Sequence, residues 1–123
     1  MIKEDYVSYK VAKLLKEKGF DEPCRAYYNM GALKEDITVP RDWSHSNYID
    51  HISAPTLQMA MKWFRDERGV YIQIKRSFNT FLYSALMLKV KDGPELHSII
   101  PSKHETYEEA VEAALKYSLE NLI

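Results

Sequence analysis

Residues 53–74, SAPTLQMAMKWFRDERGVYIQI, join a helix pattern to a strand pattern across one glycine, and no other stretch limits the fold as strongly. Pro55 suits a first helical position, where its missing N–H costs nothing, with Ser53 or Ala54 as the cap. Leu57, Ala60, Met61 and Phe64 then recur at helical spacing as one apolar stripe. Gly69 ends the helix. Val70, Ile72 and Ile74 alternate with Tyr71, Gln73 and Lys75, the period of a half-buried strand. An amphipathic helix feeding a one-sided strand must bury both apolar sides in a layered α+β packing.

The remaining elements fit the same class. Val7, Val11, Leu14 and Leu15 predict a helix over residues 3–18, with Gly19 as its stop and Phe20 folding back on it. The tyrosine-rich residues 25–30 and the alternating Ile37, Thr38 and Val39 predict a hairpin with a loop longer than two residues near Asn29 to Gly31. Residues 40–53 show neither period and read as a long loop, of the kind that is often functional. Strands are expected over 80–91 and, after the Asp92-Gly93 turn signal, over 94–100 behind Pro94. Thr106 and Glu109 form a T-x-x-E capping box that opens a C-terminal helix. The expected order is α-β-β-α-β-β-β-α, an antiparallel sheet of about five strands with three helices in a single domain over residues 1–123.

Charge and composition narrow the function classes. Seventeen basic against eighteen acidic residues give a net charge of −1, which argues against a dedicated duplex-DNA binder. The single cysteine, Cys24, cannot form an internal disulfide, and no apolar run reaches the roughly 18 residues of a membrane span. The segment MIKEDYVSYK is charged within five residues and lacks the apolar stretch of a secretory signal. The expectation is a soluble cytoplasmic protein with no membrane partner.

Three segments, VAKLLKEKGFDEPC followed by YYN, then APTLQMAMKWFRDERGVYIQI, then YEEAVEAALKYSLENLI, together resemble a group of small uncharacterised proteins of Bacteroides-type gut bacteria and of their prophages and phages. The resemblance covers most of the chain and implies a link to mobile elements. That group has no established activity, so it lends no functional residue to this chain.

Candidate chemistry therefore rests on the residues themselves. His45, Asp50 and His51 lie within seven positions and could converge on a metal, although zinc sites use tighter pairs with a second pair elsewhere. Cys24 has no nucleophile signature around it and reads as a small buried thiol. Four glycines, with no P-loop or dinucleotide fingerprint, leave little for cradling phosphates. Met59 and Trp63 form a second stripe on the central helix, which needs a packed neighbour or a partner. With Trp43 and Tyr48 from the loop, they make a candidate protein interface. In YIQIKRSFNTFLYSALMLKVK, the aromatics Tyr71, Phe78, Phe81 and Tyr83 interleave with Lys75, Arg76, Lys89 and Lys91. That is the pattern of a stacking platform for single strands, and equally of ordinary cross-strand pairs.

The sequence thus reads as a non-catalytic binding or accessory protein without a cofactor, linked to a mobile element and acting through a protein partner or self-association. The alternative is single-stranded nucleic-acid binding on Tyr71, Lys75, Arg76, Phe81 and Tyr83. A third reading is a small-molecule or metal-dependent activity in residues 40–53.

Overall fold

Ser8 decides where the first helix begins. Its hydroxyl accepts from the Val11 N–H at 3.2 Å, so α1 runs Tyr9–Glu17 and not from residue 3. Val7, expected on the helical face, is extended yet fully buried, and Tyr6 bridges Thr56 in antiparallel fashion. At the other end Gly19 N–H donates to Lys16 and Phe20 N–H to Leu15, a Schellman closure that folds the buried Phe20 back as expected.

The computed structural model describes residues 2–35, 51–91 and 93–123. The chain divides into two compact units, Met1–Gln58 and Met59–Ile123. The elements are α1, β1 (Ala26–Asn29), β2 (Ala32–Glu35), β3 (His51–Ser53), α2 (Leu57–Arg68), β4 (Val70–Arg76), β5 (Tyr83–Lys91), β6 (Gly93–His104) and α3 (Tyr107–Asn121). The α+β class holds. Two antiparallel three-stranded sheets replace the expected single sheet of about five strands, in the order α-β-β-β-α-β-β-β-α.

The first unit carries the sheet β2-β1-β3. Met30 and Gly31 both hold positive φ (52° and 82°), so β1 and β2 meet through a two-residue turn closed by the pair Asn29 and Ala32. That tight turn pairs β1 with residues 32–35, where a longer loop had been expected to bring in Ile37 and Val39; those two lie outside the described residues. The other edge of β1 is taken by β3, which sits at the end of the stretch read as a loop. Three residues are too few for a period to show in the sequence. α1 packs on β3, the Lys16 ammonium donates to the His51 carbonyl at 3.2 Å, and the Tyr28 hydroxyl donates to the Val7 carbonyl at 2.8 Å.

α2 starts two residues later than Pro55 suggests. The Pro55 carbonyl accepts from Val7 N–H, and the Leu57 N–H, an orphan donor of the first turn, finds the Asp5 carbonyl at 2.9 Å. Backbone pairing with the extended N-terminal segment thus replaces the expected cap.

The second unit holds the sheet β4-β5-β6 with α3 across one face. Val70, Ala85 and Met87 are buried on that face, as are Val111, Ala114, Leu115 and Leu119 of the helix. Thr106 caps α3 by accepting from Glu109 N–H at 3.1 Å. At the far end the Lys89 ammonium donates to the Leu122 carbonyl at 2.7 Å, setting a cation at the negative pole of the helix. β6 is longer than the expected 94–100, and it pairs with β5 from Gly93 onward. Pro94 is tolerated because β6 is an edge strand, which does not need every N–H for the ladder.

Candidate binding hairpin

Strand parity sorts the aromatic and basic residues of the second unit into two groups. Tyr71, Gln73 and Lys75 of β4 point away from α3, opposite Leu88, Leu86 and Ser84 of β5. Tyr71 is 45 % exposed, Gln73 and Lys75 are exposed, and Leu86 and Leu88 are half-buried. Arg76 and Tyr83 form a cross-strand pair on the side that α3 covers, with the Tyr83 ring edge-on to Tyr107 at 6.3 Å. Of the five residues expected to share one nucleic-acid platform, Tyr71 and Lys75 therefore share a face, while Arg76 and Tyr83 lie on the other. The alternation that suggests an aromatic stripe breaks because the register sets Tyr83 opposite Arg76 and Tyr71 opposite Leu88, which puts the two tyrosines on opposite faces.

Phe81 belongs to neither face. β5 begins at Tyr83, not at residue 80, because residues 77–82 form the connection. Ser77 N–H donates to the Leu82 carbonyl at 2.7 Å, and Phe81 N–H to the Ser77 carbonyl at 3.0 Å. The Ser77 hydroxyl accepts from Thr80 N–H, and the Thr80 hydroxyl from Leu82 N–H, both at 3.4 Å. Short polar side chains so hold the connection from within.

Two phenylalanines project from it. Phe78 is 92 % exposed and Phe81 62 % exposed. Phe81 also has φ +59°, a left-handed conformation that a bulky residue rarely takes and that normally selects glycine or asparagine. The Arg76 guanidinium lies 5.0 Å from the Phe81 ring centre and 5.9 Å from that of Tyr83, and its Nε donates to the Phe81 carbonyl at 3.4 Å. A cation thus supports one side of the Phe81 ring, with a cation–π attraction of roughly 0.5–1 kcal/mol expected at an exposed site. Lys75 is exposed and makes no ion pair or hydrogen bond among the described residues. Lys89, expected in the basic set, instead caps α3.

The stripe on α2 has a different environment. Trp63 is only 6 % exposed, edge-on to Phe64 at 5.5 Å, with the Arg68 guanidinium 5.2 Å from its ring centre. Met59 is half-buried. Little of the indole is left exposed, so within this chain the stripe has the packed neighbours that were one of its two alternatives. Trp43 and Tyr48, the other members of that candidate interface, lie outside the described residues.

His45 and Asp50 also lie outside them, so of the candidate metal trio only His51 is placed. Its ring stacks on Tyr27 at 4.3 Å. Among the described residues no three His, Cys, Asp or Glu side chains gather closely enough to hold a metal ion. Cys24 is buried, and desolvation, reinforced by the Glu22 carboxylate, pushes its thiol up to about 12. A thiol so protonated is a poor nucleophile. The Tyr6 hydroxyl is raised as well, by burial and then by its hydrogen bond to Glu35. Both groups are held by packing in the first unit.

The residue that sequence reasoning undervalued is Phe78. Its signal was a large apolar side chain within the polar run Ser-Phe-Asn-Thr between two strands. Compared with protein-family models, with curated proteins and with solved structures, the chain matches none of them.

Proposed function

We propose that the protein is a non-catalytic binding or accessory protein whose contact surface is the β4–β5 hairpin. The observation that carries this reading is the pair Phe78 and Phe81, both mostly exposed on a connection held by hydrogen bonds, with Phe81 in a strained left-handed conformation. Isolated exposed apolar residues need no explanation, but two rings on one ordered tip, one of them at a conformational cost, call for one. The face carrying Tyr71, Gln73 and Lys75 extends the same surface along β4. Work inside a cytoplasm, as an accessory to a mobile element, is part of this proposal, supported by the resemblance to small phage and prophage proteins.

The test is affinity capture from host lysate with the wild-type chain and with a Phe78→Ser, Phe81→Asn double variant. Far-UV circular dichroism would check that both are folded. Capture of a stoichiometric component by the wild type alone supports the hairpin as the contact surface. Equal capture by both chains would move the surface elsewhere, with residues 40–53 the next to be altered.

A further inference from the structure

We infer that the ligand of this hairpin is single-stranded nucleic acid, with bases stacking on Phe78 and Phe81 and phosphates held by Lys75 and Arg76. This deepens the proposal above and depends on its placing of the contact surface. Exposed phenylalanines alone would suit a protein pocket or a membrane surface equally well; the neighbouring cations favour a polyanion, and the ring geometry at the tip favours one that carries bases. Residues 69–91 contain Lys75, Arg76, Lys89 and Lys91 and no aspartate or glutamate, in a chain whose acidic residues outnumber its basic ones. Lys89 is engaged at the end of α3, so the cations beside the tip are the exposed Lys75 and Arg76, with no carboxylate in the hairpin to offset them on a chain of net charge −1, and this end suits a polyanion.

The geometry at the tip is also suited to flat rings. Arg76 lies over one side of the Phe81 ring, while most of the side chain remains exposed. A base on the open side would complete a guanidinium–phenyl–base stack, and the guanidinium edge would remain available to a phosphate. Asn79 and Thr80, exposed between the two phenylalanines, offer hydrogen-bonding groups to base edges or sugar hydroxyls. From Tyr71 to Arg76 the strand spans about 16 Å at about 3.3 Å per residue, a length over which a few unpaired nucleotides can lie beside Lys75 and Tyr71. Bases within a duplex are stacked on each other, so single strands are preferred.

The test is fluorescence anisotropy of labelled dT12, rU12 and a twelve-base-pair duplex at several salt concentrations, using the full chain. The expected result is tighter binding of one or both single strands than of the duplex, the two probes separating DNA from RNA as the source. The Phe78→Ala, Phe81→Asn double variant, folded by circular dichroism, should lose about tenfold or more in affinity, as removal of stacking side chains generally does. Lys75→Ala with Arg76→Ala should lower the salt slope by about 1.4, the value for two lost single-strand phosphate contacts. Equal binding of the duplex, or full affinity in the aromatic variant, would overturn the inference. So would no binding of any oligonucleotide: if the lysate capture above then still depends on Phe78 and Phe81, the hairpin reading stands with a protein ligand. If vesicles of anionic phospholipid are bound instead, the tip belongs to a membrane surface and the inference also fails.

Discussion

Alanine at Gly69 and at Gly31 should separate two costs that usually come together. Both glycines have positive φ, +65° and +82°, so in either position alanine meets the left-handed penalty of about 1–2 kcal/mol. Replacing glycine also narrows the unfolded ensemble, which returns about 0.4–1 kcal/mol. At Gly31 nothing lies within 4 Å of the added methyl, and the net loss should be about 1 kcal/mol. At Gly69 the methyl would stand 2.7 Å from the Val90 carbonyl oxygen, closer than real contacts allow. Val90 cannot retreat freely, because its N–H donates to the Gly69 carbonyl at 2.8 Å beside the Val70 and Lys89 pair. Strain of this kind typically adds about 1–3 kcal/mol, so Gly69→Ala should lose about 2–4 kcal/mol in all. Amide hydrogen exchange under rising urea would read the two sites independently, at β1 for Gly31→Ala and at β5 for Gly69→Ala. Equal losses at the two positions would refute the argument that backbone approach, not φ alone, demands glycine after α2.

Met30→Asn should raise stability by roughly 0.5–1 kcal/mol, since Met30 holds φ +52° with a nearly fully exposed side chain and asparagine tolerates that conformation; a thermal melt showing no gain would contradict it. Cys24 should resist alkylation at pH 8 in the folded chain, reacting only on unfolding, because its thiol is held up to about 12. The linked effect on stability follows from the direction of that shift. The thiol ionises near 9 when exposed and near 12 when folded, so its contribution is complete below pH 9 and is lost as pH climbs from about 9 to about 12. A Cys24→Ser variant should show a shallower alkaline decline, measured by urea midpoint against pH.

Where local chemistry was sufficient, the sequence was legible. The helix–Gly69–strand unit, the Thr106 cap, the Schellman closure that turns Phe20 back, and the α+β class all follow from interactions within a few residues. The candidate hairpin was legible in composition, as aromatics mixed with cations, but not in geometry. Tyr71 and Lys75 part from Arg76 and Tyr83 only when β4 and β5 adopt their register, and a shift by one residue would exchange every face.

Tertiary structure decided the rest. Backbone groups of residues 5–7 pair with residues 55–57 far along the chain, which occupies the segment ahead of the Ser8 cap and delays α2 in a way no local propensity encodes. β3 exists because β1 offers a free edge to three residues that have no pattern of their own. Trp63 lies on a stripe that asks for either a packed neighbour or a partner, and only the folded chain shows its indole buried, because side-chain spacing tells which residues share a face but not what covers it. Local bonds and spacing are written in the sequence; long-range pairing and burial are properties of the assembled chain.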